Sequence, residues 1–227
     1  MSAYTLYIGN KNYSSWSLRP WLLLRERGIG FDEVLLPFEA DNHGRFKAVA
    51  PNARVPCLHD GDIVVWDSLA IIEYLAERHP GVWPADAGAR AWARSAAAEM
   101  HSGFAALRNV CPMNCGLRLR LHTPPAAMLS DLTRIDELWC DGLQRFGGPF
   151  LAGAAFSAVD AFYAPVAFRV QTYGLPLSAP AQDYATRLLA LAGTQSWYAA
   201  ALREPWREAE HERETLAQAE LLADLRQ

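Results

Sequence analysis

A small α/β domain followed by an all-helical domain is the fold class this sequence predicts. Two observations carry it. Strand and helix signals alternate over residues 1–79, and strand signals nearly vanish after residue 90. Between them, residues 80–89 read PGVWPADAGA, with two prolines, two glycines and no periodicity, which reads as a linker. The expected units are therefore residues 1–79 and 90–227, and a chain of 227 residues with 51% hydrophobic and 20% charged residues can build both cores.

In the first unit, Tyr4-Thr-Leu-Tyr-Ile8 is rich in β-formers and reads as a strand. Leu18 to Arg27 reads as a helix, with Gly28 suited to follow its C-terminus. Phe31 to Leu36 is a second strand candidate. Val55 to His59 and Ile63 to Trp66 are two more, joined at Asp60-Gly61, a hairpin signal. Asp67 to Arg78 reads as helical, and His79-Pro80 ends it. In the second unit, Trp92, Ala96, Met100, Gly103 and Leu107 share one helix face. Met128, Leu132, Ile135, Trp139, Leu143 and Phe146 share another. Segments near 157–173, 181–192 and 195–203 also read as helical. Ser157-Ala-Val-Asp160 has the form of a capping box. The charged tail from Arg207 extends as a helix or frays; composition does not choose.

A formal charge of −4 leaves no basic footprint for nucleic acid. No apolar run reaches the ~18 residues of a membrane helix. The first ten residues lack the pattern of a signal peptide, so the four cysteines are expected as reduced thiols in a cytoplasmic protein. Cys111 and Cys115 have no second ligand pair, so no metal site is expected. Cys57 and Cys140 read as structural.

The turn after the first strand, Asn12-Tyr-Ser-Ser-Trp-Ser-Leu-Arg-Pro-Trp21, holds three serines. A proline within a helix costs about 3 kcal/mol. With Ser17 as N-cap, Pro20 would be the third helical residue, where no N–H bond is lost. Ser17 is therefore expected as the cap. Ser14 and Ser15 are then left in the turn, at the positive end of the helix dipole. Turn formation and capping would account for all three as well. Pro56 opens a strand, and a cis Val55–Pro56 bond would present the Val55 N–H and C=O to a ligand. Asp67 and Ser68 stand at a helix N-terminus, fit either for capping or for holding a carboxylate.

These stretches, in this order, resemble the glutathione transferase superfamily. Its pattern is a strand, a catalytic Ser, Tyr or Cys before the first helix, then N-P-x-G-K-V-P-x-L, then E/D-S-x-A-I. This chain reads A-P-N-A-R-V-P-C-L from Ala50 and W-D-S-L-A-I from Trp66. The serine turn is similar to the S-S-C-S-W-R motif of the zeta class, with Trp16 in place of the cysteine.

The resemblance implies a thioredoxin-like N-terminal domain and a C-terminal helical bundle domain, binding glutathione as co-substrate. Val55, beside Pro56, would pair with the cysteinyl backbone. Ser68 would hold the γ-glutamyl carboxylate and Asp67 its ammonium. Arg54, or else His43 and Lys47, would hold the glycyl carboxylate. Ser14, and next Ser15, would donate to the thiol. A free thiol with a pKa near ~8.5 is mostly protonated at neutral pH, and a hydroxyl donor favours the thiolate nucleophile. Tyr13, Trp16, Met100, His101, Phe104 and Arg108 are the expected pocket for a hydrophobic electrophile. The alternatives within the same resemblance are an isomerase of the maleylacetoacetate type, a peroxidase, or a scaffold that has lost catalysis. A homodimer is implied, with neither nucleic acid nor membrane as partner.

Overall fold

The computed structural model describes residues 4–38 and 42–226. The N-terminal part contains β1 (Tyr4–Ile8), α1 (Ser15–Glu26), β2 (Phe31–Leu35), α2 (Asn42–Lys47), β3 (Cys57–Asp60), β4 (Ile63–Trp66) and α3 (Ser68–Ala76). The strands form one sheet in the order β2-β1-β3-β4. β1 runs parallel to β2 and antiparallel to β3. The hairpin between β3 and β4 turns at Gly61, whose φ of 58° lies in the left-handed region. The stretch between β2 and β3, expected as loop, carries the short helix α2.

A mostly helical part follows. It comprises α4 (Ala87–Ser102), α5 (Ala105–Val110), β5 (Leu117–Leu121), α6 (Ala126–Phe146), α7 (Ala158–Tyr173), α8 (Ala179–Ala190), α9 (Ala192–Arg203), α10 (Ala209–Ala217) and β6 (Ala219–Asp224). α6 buries Met128, Leu132, Ile135 and Trp139, the face that the heptad-like spacing marks. α7 begins at the Ser157–Asp160 capping box. Asp160 is fully buried and also accepts from the Leu151 N–H at 3.0 Å and the Tyr184 hydroxyl at 2.8 Å. Burial outweighs these donors and pushes its carboxyl up to about 6.

Two strands depart from the all-helical expectation. β5 and β6 pair antiparallel, with Leu119 opposite Leu221. The sequence Leu-Arg-Leu-Arg-Leu of β5 alternates with period two, and Leu117 and Leu119 are buried while Arg120 is exposed. The tail therefore neither frays nor stays helical throughout: α10 hands over to a strand.

α1 joins the two halves. Trp21, Leu22, Leu23 and Leu24 are all buried, and the helix lies against α3 on one side and α7 and α9 on the other. Trp21 meets Trp197 of α9 edge-on at 5.0 Å. Helix surface buried on nearly all sides is worth about 25 cal/mol per Å² of apolar area, so this packing fixes where the turn in front of α1 sits.

Candidate active site

The turn between β1 and α1 is held from both halves of the chain. The Tyr13 and Ser14 N–H groups both donate to the Asn10 carbonyl, at 3.1 and 2.8 Å. The Glu204 carboxylate accepts from the Lys11 and Asn12 N–H groups, at 2.7 and 3.2 Å. The Trp197 indole donates to the Lys11 carbonyl at 2.8 Å.

Ser14, not Ser17, is the N-cap of α1, which corrects the sequence expectation. Pro20 lies inside the helix and leaves the Trp16 carbonyl without its usual i+4 donor. The reason is tertiary. The Ser17 hydroxyl turns back and accepts from the Gly9 N–H at 3.1 Å, closing the joint between strand and helix. Ser14 Oγ and Ser17 Oγ are hydrogen bonded at 2.7 Å.

The Ser14 hydroxyl donates to Ser17 Oγ, which is completely buried and also accepts from the Gly9 N–H. Ser14 is itself buried, and this bond holds it at the joint between strand and helix. The Ser15 hydroxyl has no hydrogen-bond partner among the described residues.

Beside these serines opens a cavity of about 1090 Å³. The turn supplies Tyr13, Ser14, Ser15 and Trp16 to its wall. The opposite rim supplies His43, Arg54 and Val55. The Val55–Pro56 bond is cis, and among the described residues the Val55 N–H and C=O are unpaired. Pro56 is buried behind Val55 and is not in the wall.

The remaining expected residues lie elsewhere. Asp67, with φ of 76°, caps α3 by accepting from the Leu69 N–H at 2.8 Å. Ser68 is buried, and its hydroxyl meets the Arg19 guanidinium at 3.5 Å. Neither lines the cavity. Met100 and Phe104 belong to the core and are no pocket residues. Met100 is buried on the marked face, which turns towards α7, while Phe104, with φ of 55°, sits in the break between α4 and α5. His101 stands edge-on to Trp16 at 5.3 Å with Nε2 3.6 Å from Asp67, outside the cavity wall. Burial lowers its pKa, against the pull of Asp67.

Arg108 lines the cavity as expected, with its guanidinium 5.3 Å from the Trp16 ring. Two further cations were not foreseen. Arg19 is buried against the rings of Trp16 at 4.1 Å and Phe162 at 4.9 Å. Burial, with Arg169 and Arg108 nearby, pushes its guanidinium down to about 9. Arg169 on α7 lines the cavity, donating through Nε to the Cys111 carbonyl at 2.7 Å and through Nη1 to the Pro165 carbonyl at 3.1 Å. Its Nη2 has no partner among the described residues. Burial takes it down to about 10. One sequence signal marks Arg169: it is the sole charged residue in the run Ala161 to Val170. Three guanidiniums held close together in low dielectric give this end of the cavity a positive potential.

The tail closes another side. His211 and Arg213 of α10 line the cavity. The Tyr13 hydroxyl donates to Glu212 at 2.7 Å and accepts from Arg226 at 3.3 Å. Burial, then the Glu212 contact, pushes the Tyr13 phenol up to about 12. A phenol so engaged is not a free donor. Arg226 also pairs with Glu212 and with Asp224, and its side chain is almost wholly buried.

Residues 13–78 match the family described as Glutathione S-transferase, N-terminal domain. These residues carry a glutathione S-transferase N-terminal domain, and the similarities along the chain support the glutathione transferase superfamily. It is 26% identical over 182 residues to a maleylacetoacetate isomerase of Rattus norvegicus, covering 76% of this chain and 81% of the relative. To a probable maleylacetoacetate isomerase of Caenorhabditis elegans it is 29% identical over 185 residues, with the same two coverages. A theta class glutathione S-transferase from Xanthomonas axonopodis pv. citri, solved with glutathione bound, superposes with a TM-score of 0.64 at 25% identity, covering 87% of this chain and 98% of that one. The α/β sheet region followed by a mostly helical region is the glutathione transferase fold of these structural neighbours.

Proposed function

We propose that this chain is a glutathione transferase in which the Ser14 hydroxyl donates to the glutathione sulfur and favours its thiolate. One observation carries the choice of Ser14: its hydrogen bond to the buried Ser17–Gly9 pair fixes its hydroxyl at the cavity wall, whereas the Ser15 hydroxyl has no such partner among the described residues. The unpaired Val55 backbone is suited to an extended peptide, and the positive potential from Arg19, Arg108 and Arg169 is suited to an anion. Arg54 and His43 are the proposed partners of the glycyl carboxylate. Asp67 and Ser68 are the proposed partners of the γ-glutamyl end, Ser68 sharing its hydroxyl with Arg19. A donor aimed at the thiolate is worth about 10²–10³ in rate at comparable sites. The protein is proposed to act as a homodimer.

Arg108 and Arg169 in one wall favour a second reading for the other substrate: a carboxylate-bearing compound, turned over by glutathione-dependent isomerisation, in place of a neutral hydrophobic electrophile. Calorimetry with glutathione tests the common ground, and absence of binding ends both readings. Assays with a chloronitrobenzene, with maleylacetone and with an organic hydroperoxide then separate transferase, isomerase and peroxidase. Loss of turnover in Ser15→Ala with retention in Ser14→Ala would move the donor to Ser15.

A further inference from the structure

The thiol proton must leave the sulfur, and Ser14, as a donor, cannot take it. The tail provides a group that can. His211 of α10 lines the same cavity as Ser14. Its ring is stacked on Tyr13, the residue before Ser14, at 5.4 Å and 29°, and on Phe38 at 5.8 Å and 8°. Two aromatic neighbours leave the imidazole little freedom to rotate. Its Nδ1 lies 2.7 Å from the Glu208 carboxylate. A carboxylate accepts, so Nδ1 carries the proton and Nε2 of the neutral ring carries the lone pair. Nε2 has no partner among the described residues. Glu208 is itself fixed, because it accepts from the His211 backbone N–H at 2.6 Å. Base, orienting carboxylate and locked ring are the parts of a general-base pair. The other titratable side chains in the wall fit the task less well: Tyr13 is bonded to Glu212, and His43 and Glu214 are exposed.

We infer that His211 is the proton acceptor for the glutathione thiol, with Glu208 as its positioning residue. The inference rests on the glutathione reading above. The S–H bond breaks, its proton passes to His211 Nε2, and the sulfur keeps the electron pair. That pair forms the new C–S bond as the electrophile's leaving group departs with its own pair. The imidazolium then returns the proton to the leaving group or to water.

The test is His211→Phe, which keeps the ring stack and removes the base, alongside Glu208→Gln. Glutathione binding is measured by calorimetry in two buffers of different ionisation enthalpy, at a pH where the bound thiol is ionised. Wild type should release less than one proton to buffer, because His211 holds it. His211→Phe should release close to one proton per site, or else leave the thiol protonated in its ultraviolet absorbance. It should lose at least ~10²-fold in kcat/KM, with glutathione affinity within a few-fold of wild type. Glu208→Gln should fall between the two. Equal proton counts and kcat/KM in wild type and His211→Phe would overturn the assignment. Failure of wild type to bind glutathione would instead remove the reading on which it stands.

Discussion

The two walls beside Tyr13 are built in opposite ways. The serine turn is assembled from neighbours in sequence: Gly9, Ser14 and Ser17 satisfy one another within nine residues. The tail wall is assembled from residues far apart. Arg226 and Glu212 reach Tyr13 across about two hundred positions, and β6 pairs with β5 about a hundred positions back. The turn needs small, neutral hydrogen bonds that survive burial. The tail needs charge pairs, because its exposed leucines contribute little burial. A local site is thus made precise by satisfied hydroxyls, and a distant cover is held by ion pairs.

Four substitutions sharpen this contrast. Ser14→Ala should have the largest effect, lowering kcat/KM by about 10²–10³ and raising the pKa of bound thiol while the fold is retained. Ser15→Ala should change either quantity by a few-fold at most. Thiolate absorbance against pH reads both. On the tail side, Arg226→Ala leaves Glu212 without its cation and should cost about 2 kcal/mol of local stability. Amide exchange should accelerate in β6 and α10 while the sheet around β1 stays protected; uniform acceleration would contradict a separate cover. Ser17→Ala should cost about 1–2 kcal/mol by stranding the buried Gly9 N–H, and lower kcat about tenfold by releasing Ser14. If kcat holds while stability falls, Ser17 serves the joint alone.

The smallest effect concerns a hub outside both walls. The Asp160 carboxyl is raised in the folded state, so folding takes up its proton between the unfolded value and about 6. Its contribution is greatest below the unfolded pKa and is lost as pH rises through about 6. Stability curves of wild type and Asp160→Asn, measured by urea between pH 4 and 7, should therefore differ in slope over that window.

How much the sequence revealed follows the same division. The order of strands and helices around β1 to α3 was legible because Gly61, Pro56 and the β-branched runs act locally. The misplaced cap at Ser17 shows the limit of local rules. The proline penalty was weighed correctly, but the demand of the Gly9 N–H comes from the neighbouring strand and outweighs it. Met100 stood on a correctly marked face whose direction only packing decides, and Phe104 fell in a helix break that the stepping did not show. The strand pairing of Leu117–Leu121 and Ala219–Asp224 was missed since neither short signal states its partner. Arg19 and Arg169 gain their meaning from burial, which composition does not report.

Glu204 and Trp197 hold the backbone just ahead of the serines, although Trp197 stands in mid-α9 and Glu204 just past its end. The serine turn is therefore common property of the two halves. On the proposed mechanism, warming that loosens α9 should displace Ser14 before the sheet has melted. Heat inactivation should then track the environment of Trp197 in fluorescence, and activity outlasting that signal would show the turn to stand alone.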